Sequence, residues 1–183
     1  MTKIVIADDH RVVRSGLRML LDREDGFEVV AEAGDVADAR RYVRAHRPDV
    51  LVLDLNMPGD PSLPAIPIFL EESPKTHVVV LTMHEDPAFA REALQAGASG
   101  YVLKEAADEE LVQAVRAAAD GGTFLNPQLG ARIAAAPRHR PATLPADDQD
   151  RDRRRPPGGA QRPPDAPRPR GGLRRRRRGR RRR

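Results

Sequence analysis

The chain has 183 residues, enough for about one domain with some length to spare. It has no cysteine, so disulfide frameworks, thiolate metal sites and cysteine nucleophiles are excluded. Its formal charge of +5 averages two unlike parts: residues 138–183 hold 18 Arg and five Asp, while the remainder holds 14 basic and 22 acidic residues. This is an acidic domain followed by a strongly basic tail. No apolar run approaches the ~18–20 residues that span a bilayer. The opening "MTKIVIADDH" puts acids where a signal peptide has its apolar centre, so no export signal and a cytoplasmic location are expected.

In chain order, "KIVIA" (3–7), "EVVAEA" (28–33), "VLVL" (50–53), "HVVVLT" (77–82) and "GYVL" (100–103) read as five strands. Three are nearly all apolar, as strands are when helices cover both faces of a parallel sheet. Between them Val13, Leu17, Leu20 and Leu21 share one helical face. Phe89, Ala93 and Leu94 share another, and Leu111, Val112, Val115 and Ala119 a third. Residues 35–46 form a helix opened by an Asp35 cap. The expected fold class is α/β, a (βα)5 doubly wound, parallel five-stranded sheet with helices on both sides.

One helix fits poorly. Pro58, Pro61, Pro64 and Pro67 fall where the third should begin, and proline inside a helix costs about 3 kcal/mol or more. That helix is expected late and short, over Ile66–Glu72. Residues 126–136, "NPQLGARIAAA", carry the pattern of one further short helix. Residues 138–183 contain no Phe, Tyr, Trp, Val, Ile or Met and only two Leu. Such a segment buries too little apolar surface to offset its chain entropy, so it is expected to be disordered. The expected division is 1–125 as the folded α/β domain, 126–137 as a linker with a short helix, and 138–183 as an Arg/Pro-rich tail.

In open α/β sheets, ligands bind beyond the carboxyl ends of the strands. There the sequence sets Asp8 and Asp9 after the first strand, Asp54 after the third, Thr82 at the end of the fourth and Lys104 after the fifth. Three gathered carboxylates repel until a proton or a cation relieves them. Mg²⁺ is suited to the task, since it binds one or two carboxylates plus waters and phosphate oxygens. An aspartate is also a nucleophile toward phosphorus. A metal and Lys104 would offset the charge that repels an incoming phosphoryl group.

Each residue also has an ordinary explanation. Asp8 and Asp9 would cap the first helix. Asp54 would begin a polar turn. Thr82 would be a β-branched strand end, Lys104 a solvated charge, Tyr101 half-buried packing and His84 a loop residue. All would have to hold together, with five chemistry-bearing residues at strand ends by chance.

The segments "IVIADDH", "VLVLDLNMPG", "VVVLTMHED" and "GASGYVLKE" resemble the receiver domain of two-component response regulators of the NarL/FixJ (LuxR) type, over residues 3 to about 125. The resemblance implies a CheY-like, flavodoxin-like fold with strand order 2-1-3-4-5. It implies Asp54 as phosphoacceptor and Asp8 and Asp9 as an acidic pocket, with Asp9 the direct Mg²⁺ ligand and Asn56 lending its backbone carbonyl. Thr82 and Lys104 would contact phosphoryl oxygens, and Tyr101 would be the aromatic that turns inward after Thr82 moves. The expected partner is a sensor histidine kinase, with homodimerisation on phosphorylation and no membrane partner. The chain is then a phosphoprotein of a phosphorelay, and not an enzyme beyond assisting its own phosphorylation and dephosphorylation.

Two departures stand out. The prolines of 58–67 alter the loop beside Asp54, and Met83 follows Thr82 where many receivers have a small residue, which would hinder hydrolytic water. The family's helix-turn-helix output domain of roughly 60 residues is also expected to be missing. "TLPADDQDRDRRRPP" begins where that domain usually opens, but the tail then reads like GC-rich codons out of frame. The expectation is a frameshifted or truncated regulator. Its alternative is a genuine basic arm that holds nucleic acid non-specifically, by charge. Two further readings stay open: a metal-dependent phosphohydrolase with Asp54 as nucleophile, and a polyanion-binding protein acting through its tail.

Overall fold

The computed structural model describes residues 1–135. The expected disorder of 138–183 lies outside the described residues. The elements run β1 (Thr2–Ala7), α1 (Arg11–Leu21), β2 (Phe27–Ala33), α2 (Val36–His46), β3 (Val50–Leu53), α3 (Ser62–Glu72) and β4 (His77–Thr82). Then come α4 (Pro87–Gln95), β5 (Gly100–Leu103), a 3-10 turn (Lys104–Ala106), α5 (Ala107–Ala119), β6 (Phe124–Leu125) and α6 (Pro127–Ala135).

The sheet order is β2-β1-β3-β4-β5-β6 and every pairing is parallel. The apolar runs explain the centre of the sheet. All four residues of β3 are buried, as are Ile4–Ala7 of β1 and Val78–Thr82 of β4. Leu17 and Leu21 of α1 join Leu111, Ala114, Val115 and Ala118 of α5 in a core with Ile4, Ile6, Val50, Val52, Val79 and Leu81. Asp35 caps α2 as expected, its carboxylate accepting from the Asp38 N–H at 2.7 Å. The turn after α4 needs glycine: Gly97 has φ +102°, and a Cβ there would meet Leu70 Cδ1 at 2.6 Å.

Two elements depart from expectation. Helix α3 begins at Ser62 rather than Ile66, although it does end at Glu72. Pro61 stands at the N-cap and Pro64 at the third helical position, where a backbone N–H would have no intrahelical acceptor anyway. Only Pro67 lies inside the helix and removes a bond there. The sheet also gains a sixth strand. β6 pairs Phe124 with Gly100 and Leu125 with Tyr101, and two residues carry no periodic signal.

Candidate phosphoacceptor site

Sheet register builds the site. The N–H of Asp54 donates to the Ala7 carbonyl at 2.8 Å, and the N–H of Asp8 donates to the Ala33 carbonyl at 3.1 Å. Each strand thus remains paired up to its acid, and both carboxylates are buried, Asp8 at 1% and Asp54 at 2% exposure. Asp9, the next residue, is 24% exposed at its side chain. Lys104 leaves the end of β5 and places its ammonium 2.7 Å from Asp54 Oδ2 and 2.6 Å from Asp8 Oδ2.

Two buried carboxylates therefore share one ammonium. Burial pushes the Asp54 carboxyl above its ordinary value, against the hydrogen bond and charge of Lys104 and the Asn56 N–H, while the Asp8 charge pushes it further up. Burial alone would lower Lys104, but its hydrogen bonds to Asp54 and Asp8 and their charges outweigh that, so it is raised. Asp8, Asp9 and Asp54 against Lys104 leave the pocket with excess negative charge, a field that favours a cation over an anion.

The ordinary explanations can be weighed residue by residue. Asp8 accepts from the His10 N–H at 2.8 Å, just ahead of α1, and His10 stands at the α1 N-cap with no side-chain cap bond. Lys104 is no solvated surface charge, since its side chain is 13% exposed. Tyr101 is fully buried, with its hydroxyl donating to the His84 carbonyl at 2.8 Å. Asp54 does form a turn contact, accepting from the Asn56 N–H at 3.1 Å, and it does so while paired with Lys104. Thr82 is buried and accepts from the His84 N–H at 3.3 Å. Met83 is 57% exposed.

Two residues belong to the site that sequence reasoning did not assign to it. His10 Nδ1 lies 2.6 Å from Asp9 Oδ1 and 3.5 Å from Asp8 Oδ1. Its place directly after the acid pair was the available signal. His84 is indeed a loop residue, but its Nε2 meets Asn56 Oδ1 at 2.9 Å and its ring stacks on Phe89 at 4.5 Å. Burial lowers its pKa, against the charges of Asp54 and Asp86.

A divalent cation fits the donor set. Ligand atoms of Asp8, Asp9, His10 and Asp54 all lie within 4.8 Å of one another. Asp9 Oδ1 is buried, and apart from the His10 ring nitrogen 2.6 Å away it has no hydrogen-bond partner among the described residues. Carboxylate oxygens are what Mg²⁺ takes.

Residues 4–116 match the family of response regulator receiver domains, and the chain belongs to that family. Within it, the relatives are of the NarL/LuxR type. The chain is 45% identical over 128 residues to the oxygen regulatory protein NreC of Staphylococcus carnosus, a match covering 69% of this chain and 59% of that protein. The chain thus spans about 59% of the length of the curated relatives it matches. Among solved structures, a LuxR-family two-component response regulator from Aurantimonas sp. superposes with a TM-score of 0.70 at 39% identity, covering 74% of this chain and 96% of that one. The receiver domain of NarL from Mycobacterium tuberculosis gives a TM-score of 0.62 at 36% identity, over 66% and 97% of the two chains. Residues 4–116 are thus the receiver domain of a two-component response regulator. Among the described residues no helix is long and apolar enough to cross a membrane.

Proposed function

We propose that Asp54 is the phosphoacceptor and that a sensor histidine kinase is the donor. The observation that carries this reading is the buried triad Asp8–Lys104–Asp54, with Asp9 beside it at the carboxyl edge of the sheet. In the transfer, an Asp54 carboxylate oxygen forms a bond to phosphorus, the bond from phosphorus to the donor histidine nitrogen breaks, and that nitrogen keeps the electron pair. Asp8, Asp9, Asp54 and the Asn56 backbone carbonyl are the residues that would hold Mg²⁺, which when bound supplies positive charge against the phosphoryl oxygens. Lys104 gives a second positive charge from the protein itself. Thr82 has a hydroxyl proton to donate to a phosphoryl oxygen. The chain is thus a switch that assists its own chemistry in the cytoplasm. The phosphohydrolase reading is weaker, because Asn56 stands two residues after Asp54 where a general acid would be needed.

The output is proposed by likeness. RcsB, which superposes with a TM-score of 0.69 at 29% identity over 76% of this chain and 71% of that one, forms dimers bound to DNA. Phosphorylation-dependent homodimerisation and transcriptional control are proposed here on that footing, with residues 1–125 as the receiver and 126–137 as the linker. Through 138–183 this chain would hold nucleic acid by charge only. The test is incubation with a small phosphodonor and Mg²⁺, which should add one acid-stable, base-labile phosphoryl group. A parent chain that takes up none overturns the reading.

A further inference from the structure

Arg14 of α1 reaches back over the turn that carries the acid pair. Its Nη1 donates to the Asp8 carbonyl at 2.5 Å. Its Nε lies 3.7 Å from Glu32 Oε2 on β2, and its side chain is only 16% exposed. A cation is thus lodged behind the acidic pocket, on a backbone oxygen and not on a carboxylate of that pocket.

The contact matters because Asp8 and Asp9 are held differently. The Asp8 N–H donates to the Ala33 carbonyl, its Oδ1 accepts from the His10 N–H, and the Lys104 ammonium lies 2.6 Å from its Oδ2. Asp9 has much less to fix it. Its Oδ1 is buried, and its one neighbour there is the ring of His10, a side chain that is itself 57% exposed. A carboxylate with few bonds of its own points where its backbone sends it. The Asp8 carbonyl and the Asp9 nitrogen belong to one peptide unit, and that unit is planar. A donor on the Asp8 carbonyl oxygen therefore fixes the plane from which the Asp9 side chain departs.

We propose that Arg14 is a positioning residue for the metal: by holding the Asp8 carbonyl it sets the peptide between Asp8 and Asp9 so that the Asp9 carboxylate stays within reach of Asp54. The inference rests on the reading of Asp9 as a Mg²⁺ ligand. The sign of the effect separates it from simple charge. Arg14 is a cation near a cation site, so by Coulomb's law alone its removal would tighten Mg²⁺ binding. Positioning requires the opposite.

The experiment is calorimetric titration of the full chain with Mg²⁺ alone, beside thermal melts without metal. Arg14→Met keeps the apolar stem and removes the charge and the donors. It should weaken Mg²⁺ binding by about tenfold, as loss of other groups that orient metal ligands does. Arg18→Met is the comparison. One turn further along α1, Arg18 bonds Glu32 and the Val29 carbonyl. Its loss should lower the melting temperature as Arg14→Met does, yet leave the Mg²⁺ affinity at the parent's value. In an Asp9→Ala background, Arg14→Met should weaken Mg²⁺ binding no further, because Arg14 acts through Asp9. Three results overturn the proposal: an affinity unchanged or tightened by Arg14→Met, an equal loss in Arg18→Met, or a further loss on top of Asp9→Ala. An Asp9→Ala chain that binds Mg²⁺ like the parent instead removes the ligand reading of Asp9, and the proposal with it.

Discussion

Lys104 Nζ sits 2.7 Å from Asp54 Oδ2 across 50 residues of sequence, at the adjacent carboxyl ends of β5, β4 and β3. The ammonium is a neighbour of the nucleophile and not the nucleophile itself. Lys104→Ala should still take up phosphoryl at Asp54, checked by mass spectrometry, while losing phosphorylation-dependent association, checked by light scattering. Its loss leaves two buried carboxylates without their shared cation and should cost about 3 kcal/mol near neutral pH. That cost should shrink in acid as the carboxylates protonate. A variant that dimerises on phosphorylation like the parent would remove the role given to Lys104.

Asp54 should make the fold less stable as the pH rises. Its folded pKa is raised by burial, so in the window between the ordinary carboxylate value and its own raised value the folded state binds more protons than the unfolded one. Stability then falls with increasing pH across that window and stays low above it. Asp54→Asn removes the charge and should raise the melting temperature by a few degrees at neutral pH, about 1 kcal/mol. The gain should vanish below the ordinary carboxylate range. Melts of both chains in a pH series decide it. A gain of constant size at all pH values would show that burial of charge is not its cause.

Asp9 offers a different balance. Apart from the His10 contact its Oδ1 has no hydrogen-bond partner among the described residues, and it adds to the charge of Asp8 and Asp54. Asp9→Ala should weaken Mg²⁺ binding by at least about tenfold, since even residues that merely orient metal ligands cost that much. Without metal the same variant should melt no lower than the parent, because repulsion is relieved. Calorimetric titration that returned the parent's affinity would exclude Asp9 as a ligand.

These contacts were unequally legible in the sequence. The run Val50–Leu53 ending in Asp54 fixed both the buried strand and the place of its carboxylate, because period and polarity change at one residue. Asp35 announced a cap by its side-chain chemistry. Helix α3 starts earlier than its prolines suggest because their position, and not their presence, sets the cost: Pro64 falls where an N–H has no intrahelical partner. The contact of His84 with Asn56 spans 28 residues and two loops, and no local pattern encodes it. Leu129 of α6 is likewise buried against a surface made by other elements.

The tail gives the last prediction. Residues 174–183, "RRRRRGRRRR", carry nine Arg, and residues 138–183 have no Phe, Tyr or Trp to stack on bases. Arginine holds phosphates, but phosphate contacts position a protein without reading sequence. Specificity needs base-edge contacts or stacking platforms, and this composition supplies neither aromatic platforms nor an amphipathic reading helix. The chain should therefore bind duplex DNA without preference between a promoter fragment and its scrambled counterpart. Affinity should fall steeply with salt, with a log–log slope of about −0.9 for each phosphate neutralised. A chain ending at Ala136 should lose this binding and keep phosphoryl uptake at Asp54, since the elements that hold the site all precede it. Competition binding at two salt concentrations checks both statements. A salt-resistant preference for one duplex would make the tail a reader of sequence, and the frameshift expectation would fall with that result.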